Sequence, residues 1–140
     1  MSHSPTILLL EDDPDLRDSL ELLLHQRGYH VVSTGNGFRA VELAEEYQPA
    51  VALVDILVPG QSGFQVTLSL KEHFGDRVRV IVTSWNTSPA HQDYALAAGA
   101  EHFLAKPFGA EQVAELIERI CPVPENASES GVRRVVRIGS

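Results

Sequence analysis

A single cysteine, Cys121, leaves no partner for an internal disulfide, so this chain is held by a packed core and suits a reducing compartment such as the cytoplasm. Its position at the end of a helical run marks that cysteine as a packing residue rather than a reactive thiol. The apolar runs fall far short of the ~18 residues that cross a bilayer. The N-terminal Met1-Ser2-His3-Ser4-Pro5 has none of the basic character that starts a secretory leader, so a soluble protein with no membrane partner is expected. Positive charge is scarce as well. Against 19 Asp and Glu stand only 11 Lys and Arg, a formal net charge of −8, which argues against direct nucleic-acid binding. The shortage is confined to residues 1–121, with 8 basic against 17 acidic residues, while residues 122–140 carry Arg133, Arg134 and Arg137 against Glu125 and Glu129. Six histidines (His3, His25, His30, His73, His91 and His102) show no paired i, i+4 spacing, so they read as surface or boundary residues and not as a zinc site.

What the chain does have is a repeated pattern within 140 residues, about one domain's worth. Four short apolar runs each stop at a residue suited to phosphate or metal chemistry. Ile7–Leu10 ends in Glu11-Asp12-Asp13, Val51–Val54 in Asp55, Val80–Val82 in Thr83-Ser84, and Phe103–Ala105 in Lys106-Pro107. Amphipathic helical stretches lie between them, so the runs read as strands of one parallel sheet. Ligands of such sheets bind outside the carboxyl ends of the strands. Three acids, a hydroxyl and a lysine would therefore meet at one edge, which is a phosphoryl-transfer site in outline.

The punctuation supports the same order, strand then helix, five times over. Asp13-Pro14 is an N-cap followed by a first-turn proline, and Leu16, Leu20, Leu23 and Leu24 make one apolar stripe that Gly28 terminates. Tyr29–Ser33 reads as a second strand, Asn36-Gly37 as the cap of a helix reaching Tyr47, and Ser62-Gly63-Phe64-Gln65 as a capping box. Val78–Thr83 reads as the fourth strand and His102–Ala105 as the fifth. Ser88-Pro89 opens a helix ending at Gly99, and the last helix spans Ala110 to Ile120. Asp13 is accordingly a cap rather than a ligand. Residues 122–131 have the composition of a linker, and Val132–Ile138 could be disordered, an added edge strand or a contact segment for another chain. The expected organisation is a domain over 1–121 and a linker-like tail over 122–140.

Ile7-Leu-Leu-Leu-Glu-Asp-Asp-Pro14, Val54-Asp-Ile-Leu-Val-Pro-Gly-Gln-Ser-Gly63, Gly99-Ala100 and Lys106-Pro-Phe108 together resemble the receiver domain of two-component response regulators. The resemblance covers residues 6 to about 120 and rests on the joint order and spacing of the motifs. It implies a doubly wound, flavodoxin-like α/β fold with five parallel strands in the order 2-1-3-4-5, which makes strands 1 and 3 neighbours. It further implies that Asp55 is the phosphoacceptor, and that Glu11 and Asp12, with Asp55 and the backbone carbonyl of Leu57, hold Mg2+. Lys106 would contact the phosphoryl oxygens and Phe103 would be the aromatic switch residue, although plain core packing also suits Phe103. Ser84 falls on the family's hydroxyl position if Arg79 opens the fourth strand; Thr83 is the alternative. The Lys106-Pro107 bond is expected to be cis, as in the family.

The implied function is a phosphorylatable receiver, not an enzyme beyond assisting its own Mg-dependent phosphorylation and dephosphorylation. Its partners would be a sensor histidine kinase or histidine phosphotransfer protein and a downstream protein, with a homodimer left open. A fragment of a longer regulator, whose linker-like tail leads on to an output domain, fits the same pattern. The alternative is a receiver-like module that binds protein without phosphorylation. An aspartyl-nucleophile hydrolase fits poorly, since it wants a second aspartate where Leu57 stands. Three positions depart from the family pattern: Val58, mildly; Leu57, which cannot orient an attacking water; and Trp85, where a small residue is usual. Leu57 sets the expectation of slow acyl-phosphate hydrolysis. Trp85 either restricts small phosphodonors or belongs to a partner surface.

Overall fold

The computed structural model describes residues 3–125 and 134–139. Elements follow in the order β1 (Thr6–Leu10), α1 (Pro14–Gln26), β2 (His30–Thr34), α2 (Gly37–Tyr47), β3 (Val51–Asp55), α3 (Gly63–Phe74), β4 (Arg79–Ser84), α4 (Pro89–Ala97), β5 (His102–Ala105), α5 (Ala110–Ile120) and β6 (Val135–Ile138). All strand pairs are parallel, and the sheet runs β5-β4-β3-β1-β2-β6. The expected 2-1-3-4-5 order is present, extended at its β2 edge by one strand.

Because the sheet is covered on both faces, the strands are apolar throughout, yet alternate residues serve different cores. Leu8, Leu10, Ala52, Val54, Val80 and Val82 pack beneath α2, α3 and α4. Ile7, Leu9, Val51, Leu53 and Ile81 face the opposite way, against Leu20 and Leu24 of α1 and Val113, Leu116 and Ile117 of α5. Burying each such Leu, Ile or Val side chain is worth about 1.5–3 kcal/mol. Among the described residues, no helix is long and apolar enough to cross a membrane.

Four helices start on the caps anticipated from sequence. Asp13, Asn36, Ser62 and Ser88 each accept a backbone N–H of the first turn through their side chains. Two strands are shifted by one residue. Tyr29 belongs to the turn before β2 because its N–H donates to the Leu24 carbonyl at 3.1 Å, closing α1. Val78 precedes β4 because the Lys71 ammonium takes its carbonyl at 2.8 Å. Cys121 is half-buried, and burial pushes its thiol pKa up, consistent with packing. The six histidines are exposed or half-buried.

The last strand starts where Arg134 meets His30. The Val31 N–H donates to the Arg134 carbonyl at 2.8 Å, and Val31 to Thr34 register against Val135 to Ile138. Arg137 pairs with Asp18 and with Glu21, whose side chain is only 6% exposed and also accepts the Ser33 hydroxyl. Of the stretch with linker composition, residues 126–131 lie outside the described residues, as do Val132 and Arg133.

Candidate functional site

The register of β1 on β3 sets the site. Leu10 pairs with Val54, so the next residues, Glu11 and Asp55, emerge side by side at the carboxyl edge. Asp12 follows on the rim, and one carboxylate oxygen from each of Glu11, Asp12 and Asp55 lies within 4.8 Å of the others. Glu11 and Asp55 are buried while Asp12 is exposed.

Lys106, the residue that follows β5 and precedes a cis bond to Pro107, closes the cluster. Its ammonium donates to Glu11 Oε1 at 2.8 Å and to Asp55 Oδ2 at 2.9 Å, all three side chains being 6% exposed or less. The Leu57 N–H donates to Asp55 Oδ1 at 3.3 Å and the Asp13 N–H to Glu11 Oε2 at 3.2 Å. Arg17 holds the Glu11 carbonyl at 3.2 Å.

Crowded carboxylates away from water resist ionisation. Burial, and then the charge of Asp55, push the Glu11 carboxyl up to about 7, even though the Lys106 hydrogen bond pulls it down. For Lys106, burial works against the charge, but the bonds to Glu11 and Asp55 prevail and hold its pKa above the ordinary value. One ammonium thus serves two acids, so the hollow retains an excess of negative charge. Oxygen donors of this kind suit a hard divalent cation that accepts one or two carboxylates and keeps several waters.

Close approach of α3 to Asp55 requires a glycine. A Cβ on Gly63 would stand 2.4 Å from the Asp55 carbonyl oxygen, and the Gly63 N–H donates to the Ile56 carbonyl at 3.0 Å. The turn between β3 and α3 therefore folds tightly over the acid.

On the other flank, β4 does begin at Arg79, which is exposed, and Val80–Val82 are buried. Thr83 registers opposite Asp55 and Ser84 opposite Ala105. The Lys106 N–H donates to the Ser84 carbonyl at 2.8 Å, joining the two strand ends. The Ser84 hydroxyl accepts the Asn86 N–H at 3.0 Å and lies 3.2 Å from His91 Nε2. Phe103 is half-buried against the α2/α3/α4 core, with its ring 6.3 Å edge-on from that of His91. Leu57 and Trp85 project outward, 71% and 65% exposed.

Two segments near the site, the start of α4 and the end of β6, were not placed there by the sequence alone. His91 lies seven residues beyond Ser84, and only the Asn86 and Ser88 turns fold the first turn of α4 back over that hydroxyl. Arg137, Ile138 and Gly139 share with Asp12, Arg17, Gly35 and Pro59 a cavity of ≈ 280 Å³ beside the acidic cluster. The loose Val/Arg alternation of the tail gave the only signal for that strand.

The family model described as the response regulator receiver domain matches residues 7–118. The chain is 33% identical over 106 residues to the transcriptional regulatory protein KdpE of Mycobacterium tuberculosis, covering 76% of this chain and 46% of that protein. It is 35% identical over 106 residues to a cyclic di-GMP phosphodiesterase of Thermotoga maritima, covering 76% and 28%. Among solved structures, the receiver domain of the sensor histidine kinase PA1611 of Pseudomonas aeruginosa, which holds a magnesium ion in its active-site cleft, superposes with a TM-score of 0.73. It is 29% identical, and the match covers 83% of this chain and 96% of that one. With its parallel sheet and acidic carboxyl edge, the chain belongs to the response regulator receiver domain family and so to two-component signalling. It spans less than half the length of the two curated relatives, which carry further sequence.

Proposed function

We propose that the chain is a phosphorylatable receiver in which Asp55 accepts a phosphoryl group from a histidine of a sensor kinase or phosphotransfer protein. The observation that carries this reading is the meeting of Glu11, Asp12, Asp55 and Lys106 at one strand edge. Glu11, Asp12 and Asp55, with the Leu57 carbonyl, would hold Mg2+. When bound, the cation neutralises charge on the transferring group, which is what in-line phosphoryl transfer needs most.

The protein's own groups do the rest. An Asp55 carboxylate oxygen forms the new bond to phosphorus as the phosphorus–nitrogen bond to the donor imidazole breaks, its electron pair returning to nitrogen. Lys106, already 2.9 Å from Asp55, stays to hold a phosphoryl oxygen. Ser84, at the end of the strand tied to Lys106, offers its hydroxyl to another, with Thr83 the alternative. Movement of the β4–α4 loop toward the phosphoryl group then frees space for Phe103, a two-state element biased by charge. Signalling is by contact with a downstream protein in the cytoplasm.

Exposure of Trp85 favours a second role, as part of a partner-binding surface that could work without phosphorylation. Incubation with acetyl phosphate and Mg2+ separates the two readings. The native chain should gain the mass of one phosphoryl group and Asp55→Ala should not. A native chain left unlabelled by acetyl phosphate, with Trp85→Ala also unlabelled, would leave only the binding module.

A further inference from the structure

Ser84 is 2% exposed, and its hydroxyl has two partners, the Asn86 N–H at 3.0 Å and His91 Nε2 at 3.2 Å. It has no bond to Asp55 or Lys106. A hydroxyl has one proton and two lone pairs. One lone pair is taken by Asn86, and His91 engages either the proton or the other lone pair. To serve a phosphoryl oxygen on Asp55, the hydroxyl must donate its proton there, so an arrangement that commits it to His91 competes with phosphorylation.

The ring of His91 is itself set between aromatics. Its centroid lies 5.0 Å from Phe64 of α3 at 69° and 6.3 Å from Phe103 of β5 at 88°, both edge-on. Phe64 leans in turn on Tyr94, at 4.7 Å. Edge-on aromatic pairs have preferred geometries, so a displaced ring disturbs its neighbours. Packing alone would be served as well by a phenylalanine, which has no polar atom to place in that half-buried position. The imidazole's one side-chain hydrogen bond is to Ser84.

We propose that His91 is a positioning residue that holds the Ser84 hydroxyl in its resting arrangement and links its release to Phe103. This rests on the reading of Asp55 as phosphoacceptor. When the hydroxyl turns to the phosphoryl group, His91 loses its partner, and the ring stack of Phe64, His91 and Phe103 resettles. The resting contact acts as a restraint on switching, set by a residue of α4 that touches neither the acceptor nor the acids.

Titration of the full chain with beryllofluoride and Mg2+, followed by Trp85 fluorescence, tests this. His91→Phe keeps the ring and removes the nitrogen. It should tighten apparent binding about three- to tenfold, the range that one net hydrogen bond confers on a population shift. His91→Gln, which restores a polar group near the position of Nε2, should stay within about twofold of the native protein on the same scale. In a Ser84→Ala background, His91→Phe should change nothing, since the interaction it removes is already gone. Unaltered or weaker binding by His91→Phe, or equal tightening with and without Ser84, overturns the positioning role. Should His91→Phe fail to fold, His91→Leu is read in its place against the same outcomes. Binding of the probe with no His91 effect removes this inference alone. No binding by a folded native chain removes the Asp55 reading as well.

Discussion

Replacing Lys106 by methionine keeps much of the side-chain volume but removes the ammonium that lies 2.8 Å from Glu11 and 2.9 Å from Asp55. Breaking a buried ion pair from one side costs about 3–5 kcal/mol. With a urea m-value of about 2 kcal/mol/M, the unfolding midpoint at pH 8.5 should fall by about 1.5–2.5 M. The loss should also depend on pH. Glu11 titrates at about 7 in the folded protein because of burial and of Asp55, above its ordinary 4.5. A group whose folded pKa is raised contributes stability that is full in acid and disappears as pH climbs through the folded value. Without Lys106, Glu11 rises further, so the variant goes on losing stability above pH 7, where the native protein has levelled off. From pH 7 to 8.5 the gap should widen by at most about 2 kcal/mol, at 1.36 kcal/mol per unit. At pH 5.5 Glu11 is protonated in both proteins and has little need of the lysine. Urea unfolding followed by circular dichroism at pH 5.5 and 8.5, without added metal, measures both gaps. Equal losses at the two pH values, or a larger one in acid, would refute this account of the acidic cluster.

Leu57→Asn should shorten the life of the phosphorylated protein, because Leu57 offers an attacking water nothing to bond; an unchanged or longer lifetime measured by phosphate release would count against it. Trp85→Ala should speed labelling by acetyl phosphate if the 65% exposed indole limits access to Asp55, and an unchanged rate would assign Trp85 to a partner surface. Arg137→Met leaves the nearly buried Glu21 with the Ser33 hydroxyl as its remaining side-chain partner, and should loosen β6 from β2. Amide exchange at Val31, whose N–H donates to the Arg134 carbonyl, should then quicken severalfold while β3 and β4 are unaffected; constant protection at Val31 would show Arg137 to be dispensable.

Much of this architecture was written in local signals. Asp13, Asn36, Ser62 and Ser88 announce helices because a side-chain oxygen beside a free N–H is a property of a few adjacent residues. The acids and Lys106 were legible since each terminates an apolar run, and parallel sheets collect such ends on one side. The preference for Ser84 over Thr83 rested on placing Arg79 at the start of β4, a matter of one residue of register, and β4 does start there. Contacts between distant segments were not legible. The pairing of Arg137 with Glu21 joins positions more than a hundred residues apart, and a charged residue in a short tail looks the same whether paired or free. His91 was hidden for a related reason: only the turn through Asn86 and Ser88 decides which face of α4 meets β4. The one-residue shifts at Tyr29 and Val78 arose where a neighbour claimed a backbone group that the strand would otherwise have used.

The course of β6 has a practical side for anyone handling this protein. Since Ile138 and Gly139 share a cavity wall with Asp12, bulk attached to β6 at these residues would stand beside the acidic cluster. Attachments ahead of Thr6 would leave from the opposite end of the sheet, well clear of the acids. Labels meant to leave the acids undisturbed belong ahead of β1, and one placed on the end of β6 would crowd Asp12.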